Sequence, residues 1–150
     1  GTGTLTLLAA ARLGPSARVR GLERHGPAVD DARRNATAHG LGHVAFETGA
    51  AGRTMERING DGWAPEVILL NPPRTGAEPG ALAAVAKSGA RRIIYISCKP
   101  ATLARDLRFL GGRGYALRSV QPVDLFPQTT HVECVAVLDM RGEAPRISNS

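Results

Sequence analysis

Two short apolar runs, Val67–Leu70 and Ile93–Ile96, do most to limit what this chain can become. Neither alternates with polar residues, so each reads as a parallel strand buried on both faces rather than a half-exposed antiparallel one. Both are far shorter than the roughly 18 residues a membrane helix needs. Helical and extended segments alternate around them. Leu5–Leu13 is Leu/Ala-rich and stops at Gly14-Pro15, which predicts a helix. Arg18–Glu23 follows as a short strand. Pro27–His39 predicts a second helix: Pro27 suits its first turn, Val29, Ala32 and Ala36 share a face, and Gly40 stands where a C-terminal glycine belongs. Val44–Glu47 alternates like a strand, and Ala51–Ile58 is a weaker helix closed by Asn59-Gly60-Asp61-Gly62. Helix Ala81–Ser88, strand Arg91–Ser97, helix Pro100–Leu110 (Leu103, Leu107 and Leu110 on one face) and strands Ala116–Pro122 and Val132–Met140 complete the order. This order predicts an α/β fold whose sheet is mostly parallel, with helices on both faces. Residues 1–140 are expected to form one domain, and 141–150 a loose tail without apolar periodicity.

Composition narrows the class. A chain of 150 residues with 43% hydrophobic and 21% charged residues can bury a core, which excludes intrinsic disorder. The net charge is +6, and 17 of the 19 basic residues are arginine, a balance that suits a polyanionic partner. The two cysteines, Cys98 and Cys134, form no CxxC, which excludes a disulfide scaffold and a four-cysteine zinc site and fits a reducing cytoplasm. No metal is expected, because no His/Cys set has ligand spacing. The opening Gly1-Thr2-Gly3-Thr4 has no Met and reads as the middle of a glycine-rich turn, as in a fragment lacking its upstream part.

In such sheets ligands bind at the carboxyl ends of the strands, and the chemically capable residues of this chain fall there. Gly1-Thr2-Gly3-Thr4 precedes a helix, and Glu23 closes the next strand. Glycines let the backbone approach a nucleotide, and the carboxylate accepts hydrogen bonds from ribose hydroxyls. Asn71-Pro72-Pro73-Arg74 follows one buried strand, and its two prolines stiffen the loop. Ser97-Cys98-Lys99-Pro100 follows the other. A helix N-terminus and the Lys99 ammonium would both favour a thiolate at Cys98, which is how a nucleophilic cysteine is prepared. Glu133, beside apolar strand residues, is a candidate general base. Cys134, inside the apolar strand, reads as a small core residue. His131 reads as a loop hydrogen-bonder.

Together, Asn71-Pro-Pro-Arg-Thr-Gly76, Tyr95-Ile-Ser-Cys-Lys-Pro-Ala-Thr-Leu-Ala-Arg-Asp-Leu107 and Asp124-Leu-Phe-Pro-Gln-Thr-Thr-His-Val-Glu-Cys134 resemble the RNA uracil-C5 methyltransferases, the cytosolic enzymes that form 5-methyluridine in tRNA and rRNA. The resemblance runs over nearly the whole chain. It implies a Rossmann-like class I methyltransferase fold whose first strand lies outside these residues, and S-adenosylmethionine as cofactor. It also implies RNA as partner, no membrane, and a monomer. Carried over by position, it makes Cys98 the nucleophile and Glu133 the general base. Gly1, Gly3, Thr4 and Glu23 would bind the cofactor, with Asn71 near both cofactor and target base. Three positions depart from the family pattern: Asn71 stands for Asp, Lys99 for Asn, and Ala50 for the Asp of a Gly-Asp-Ala segment. Two carboxylates are thus lost near a positively charged sulfonium, which predicts weaker cofactor binding, since each lost hydrogen bond costs roughly 1–3 kcal/mol. Two other readings compete. Asn71-Pro72-Pro73 partly fits an amino-group methyltransferase, and the lost carboxylates fit a non-catalytic RNA-binding remnant.

Overall fold

A computed structural model describes residues 1–124, 128 and 132–142. The elements, in chain order, are α1 (Thr4–Leu13), β1 (Arg20–Glu23), α2 (Gly26–Ala38), β2 (Ala45–Thr48), α3 (Ala51–Gly60), β3 (Val67–Leu70), α4 (Pro79–Lys87), β4 (Arg92–Ser97), α5 (Pro100–Gly111), β5 (Tyr115–Val123) and β6 (Glu133–Met140). The punctuation expected from sequence is in place. Gly14 follows α1 at φ 81°. After α2, Gly40 takes φ 68°, its N–H bonds Thr37 O at 3.1 Å, and Leu41 N–H bonds Ala36 O at 2.8 Å, closing a Schellman motif.

The chain divides into two compact units, Gly1–Ile58 and Asn59–Ser150. In the first, β1 and β2 pair in parallel, Arg20 opposite Ala45 through Glu23 opposite Thr48. Its core joins Leu7 and Ala10 of α1, Val29, Ala32 and Ala36 of α2, and Val44 and Phe46.

The second unit is a four-stranded sheet in the order β3-β4-β6-β5. β3 and β4 are parallel, and β6 runs antiparallel to both β4 and β5. The connection explains β6: a parallel neighbour needs a crossover of a dozen or more residues, and only residues 124–132 separate β5 from β6. One face of the sheet supplies Ile93, Tyr95, Cys134, Ala136 and Leu138, which pack with Leu82 and Val85 of α4 and Leu103 and Leu110 of α5. Burial along β3 departs from the sequence reading. Val67 is 51% and Leu69 40% exposed, because they lie on the face opposite the core, whereas Ile68 and Leu70 stand beside Ile93 and Tyr95 and pack against it. Among the described residues no helix is long and apolar enough to cross a membrane.

Candidate active site

Strand direction gathers three of the expected side chains at one rim of the second unit. Because β3 and β4 are parallel, their carboxyl ends lie together, and the antiparallel β6 brings its amino end to the same rim. Asn71, exposed, follows β3; Cys98, half-buried, follows β4; and Glu133, half-buried, opens β6. The last β4–β6 pair is Ser97 opposite Cys134. Cys98, in the bend after β4, and Glu133, the first residue of β6, each adjoin a member of this last pair. Ser97 and Cys134 are buried on the helix-covered face, 5% and 6% exposed. Strand alternation therefore puts Glu133 on the other face, with Val135 and Val137. Cys134 is the core residue the sequence predicts. Ser97 braces the bend that carries Cys98: its hydroxyl accepts the Lys99 N–H at 3.2 Å and donates to Lys99 O at 3.3 Å. Lys99 caps α5, and Pro100 is in its first turn. His131 and its neighbours at 125–127, 129 and 130 lie outside the described residues.

A buried polar cluster underlies this rim. Asp106 of α5 has no exposed surface. One of its oxygens accepts the Tyr95 hydroxyl at 2.5 Å and the Ala77 N–H at 2.8 Å. The other takes Arg105 Nε at 2.8 Å. Burial, and then the adjacent carboxylate, push the Tyr95 hydroxyl well above the usual tyrosine range. Arg105 also donates to Thr75 O at 3.0 Å, and the Thr102 hydroxyl lies 3.2 Å from Arg74 O. Residues 71–77 are thereby tied to α5.

Gly1, Gly3, Thr4 and Glu23 belong to the first unit. Gly3 caps α1 at φ 89°, and a Cβ there would lie 2.9 Å from Ala32 Cβ and 3.1 Å from Phe46 Cζ. Torsion and space both require glycine. Thr4 opens α1, and Gly3 O accepts the Leu7 N–H at 2.8 Å. Glu23 ends β1, accepting from the Gly1 amino group and from the His25 N–H at 2.8 Å. Gly1 and Glu23 thus meet at the carboxyl end of β1. Asn71 belongs to the second unit.

Residues 43–141, more than half of the chain, match the family model described as tRNA (Uracil-5-)-methyltransferase. The chain belongs to that family. An uncharacterized RNA methyltransferase of Geobacter sulfurreducens is 47% identical over 125 residues, which cover 83% of this chain and 25% of that protein. One of Oceanobacillus iheyensis is 41% identical, over 94% of this chain and 30% of that protein. Among solved structures, a Pyrococcus abyssi tRNA (uracil-54, C5)-methyltransferase in complex with S-adenosyl-L-homocysteine superimposes with TM-score 0.75 and 28% identity, over 92% of this chain and 32% of that one. A Bacillus cereus O-methyltransferase, TM-score 0.71 and 17% identity over 92% of this chain and 70% of that one, shares the fold alone. The α/β fold is thus that of the class I methyltransferases. The chain spans about a quarter to a third of the length of these RNA methyltransferases.

Of the three departures from the family pattern, Asn71 and Lys99 are exposed at the rim of the second unit. Ala50 follows β2 in the first, its carbonyl accepting the Thr54 N–H at 3.0 Å. The Tyr95–Asp106–Arg105 cluster is what sequence reasoning missed. Its signal was present: Leu103, Asp106 and Leu110 lie three and four residues apart, so a carboxylate stands inside the apolar stripe of α5. The structure buries that trio and leaves Leu107 half-buried.

Proposed function

We propose that the protein carrying this chain is an S-adenosylmethionine-dependent RNA methyltransferase that methylates C5 of a uridine in rRNA or tRNA, with Cys98 as nucleophile and Glu133 as general base. The meeting of the carboxyl end of β4 with the amino end of β6, where Cys98 follows Ser97 and Glu133 precedes Cys134 of the last ladder pair, is the observation that supports this reading. Uracil C5 is too electron-poor to attack a methyl donor unaided. Addition of the Cys98 thiolate to C6 moves the ring's electron pair toward the C4 carbonyl and makes C5 nucleophilic. Once C5 carries the methyl group, Glu133 takes the C5 proton. The freed electron pair restores the C5–C6 double bond and expels the Cys98 thiolate. Each bond to sulfur made in the first step is broken in the last, so the thiolate is regenerated. The target uracil must leave its stack to reach such a site, and surface arginines would hold the flanking phosphates.

The residues expected to hold the cofactor fit a nucleoside sulfonium. Gly3 presents bare backbone at the amino end of α1, and Glu23 at the end of β1 offers carboxylate oxygens as acceptors for ribose hydroxyls. Gly1, Gly3, Thr4 and Glu23 would bind it, with Asn71 near the transferable methyl group. When bound it supplies an electrophilic methyl group. Residues 1–140 would act as the catalytic part of the longer protein, working in the cytoplasm.

The test is incubation of the full-length protein with 5-fluorouridine-containing RNA and S-adenosylmethionine. Fluorine at C5 blocks the final proton removal, so a covalent protein–RNA adduct should accumulate and be absent from Cys98→Ala. Cofactor binding without an adduct would favour amino-group transfer, and RNA binding without cofactor binding would favour a non-catalytic remnant.

A further inference from the structure

Arg105 lies outside the catalytic pair and the expected cofactor residues, yet it joins two parts of the rim. The Asn71–Gly76 loop has one backbone bond of its own, from the Gly76 N–H to Pro73 O at 2.9 Å, and Pro72 and Pro73 have no N–H to donate. What the loop offers are carbonyls, and α5 meets them with donors three residues apart on one helix face. The Thr102 hydroxyl reaches Arg74 O at 3.2 Å, and Arg105 reaches Thr75 O at 3.0 Å. The Arg105 fork also reaches back to Asp106 at 2.8 Å. Asp106 in turn holds the Ala77 N–H, where the loop ends, and the hydroxyl of Tyr95 on β4, the strand that leads to Cys98. Gly76 completes the fit. It sits at φ 82°, and a Cβ there would lie 2.7 Å from Asp106 Oδ2 and collide with the Arg105 guanidinium.

We propose that Arg105 is a positioning residue that sets the Asn71–Gly76 loop relative to Cys98, by bridging the Thr75 carbonyl to buried Asp106. The proposal rests on the reading that Asn71 and Cys98 serve one methyl transfer. An ordinary surface ion pair would contribute about 0–1 kcal/mol of stability and nothing else. A positioning residue changes how well the loop meets the cofactor, because small misplacements of reacting groups cost up to about 10²-fold. Arg105 is 56% exposed, so its truncation leaves the apolar core intact.

The experiment uses full-length wild-type protein, Arg105→Ala and Arg105→Lys. Melting temperature, kcat and KM for S-adenosylmethionine are measured, together with amide hydrogen exchange across residues 71–77. Arg105→Ala should raise that KM about tenfold and lower kcat, speed exchange at Gly76 and Ala77, and lower the melting temperature, because buried Asp106 loses its cationic partner, whereas Arg105→Lys should keep most of the melting temperature. Arg105→Lys, with one donor head for two acceptors, should fall between, and it serves alone if the alanine variant fails to fold. KM and kcat within twofold of wild type would overturn the proposal, as would unchanged exchange at Gly76 and Ala77. If wild-type protein forms no adduct with 5-fluorouridine RNA, the methyltransfer reading is what fails, and the exchange measurement still decides whether Arg105 holds the loop.

Discussion

The two units reach a strand-end site by opposite means. The first packs with small groups: three of its seven core residues are alanines. Gly3 and Gly21 face Phe46 so closely that a Cβ on either would stand 3.1 or 2.6 Å from the ring. Such packing lets backbone approach the aromatic ring directly. The second unit packs with large groups and buries polar ones among them. Tyr95 and Tyr115 are both fully buried, and each hydroxyl is satisfied, Tyr95 by Asp106 and Tyr115 by Ala90 O at 2.9 Å. A satisfied buried network specifies one geometry. Backbone presentation in one unit and side-chain placement in the other are what binding a nucleoside and rearranging a pyrimidine would respectively need.

Three measurements can break or sharpen that contrast. The largest expected effect is on chemistry in the second unit. Glu133→Gln should cut turnover by about 10²–10⁴-fold while a Cys98–RNA adduct builds up on ordinary RNA, visible as a slower band in denaturing electrophoresis. Loss of turnover with no adduct would remove Glu133 from the proton-abstraction step. Next come the two cores, compared by denaturant unfolding of the full-length protein. Leu110→Ala opens a cavity among large side chains and should cost about 2–5 kcal/mol. Gly21→Ala drives a methyl group into the Phe46 ring and should cost about 1–3 kcal/mol. Equal tolerance of both changes would contradict the packing contrast. The smallest effect concerns Asp139, which lies opposite Arg92 across the β4–β6 ladder and bonds it at 2.7 Å, and Arg118 at 3.0 Å. Arg92 first, and Arg118 with it, hold the Asp139 carboxyl below its usual range. Its contribution is therefore complete above the ordinary Asp value of about 3.9 and disappears as pH falls through the lower folded value. Both arginines are about half exposed, so the effect should be on the order of 1 kcal/mol. Asp139→Asn should flatten the unfolding-stability profile below about pH 4.

Much of the fold was legible in the chain because its signals are local. The Pro27 start, the Val29/Ala32/Ala36 stripe and the Gly40 stop place α2 to within a residue or two. The strands fall where β-branched and apolar runs fall. The apolar run Val67–Leu70 misled on burial, since periodicity reports composition and not which face of a strand is covered. The site was legible in part: Asn71, Cys98 and Glu133 stand out as polar groups at the ends of apolar strands. Arg105 and Asp106 did not, because a charged pair in a helix ordinarily points to solvent. Only packing shows that one of them is enclosed.

What the sequence by itself determined is which residues form each helix and strand and which polar groups end them, because caps, turns and periodicity act over a few neighbouring residues. Tertiary structure alone decided that β6 enters between β4 and β5 and runs against both, which brings the carboxyl end of β4 and the amino end of β6 to one rim. Pairing register joins Ser97 to Cys134, 37 positions apart (134 − 97), and it is set by which faces can be buried together, a quantity no local stretch of chain contains.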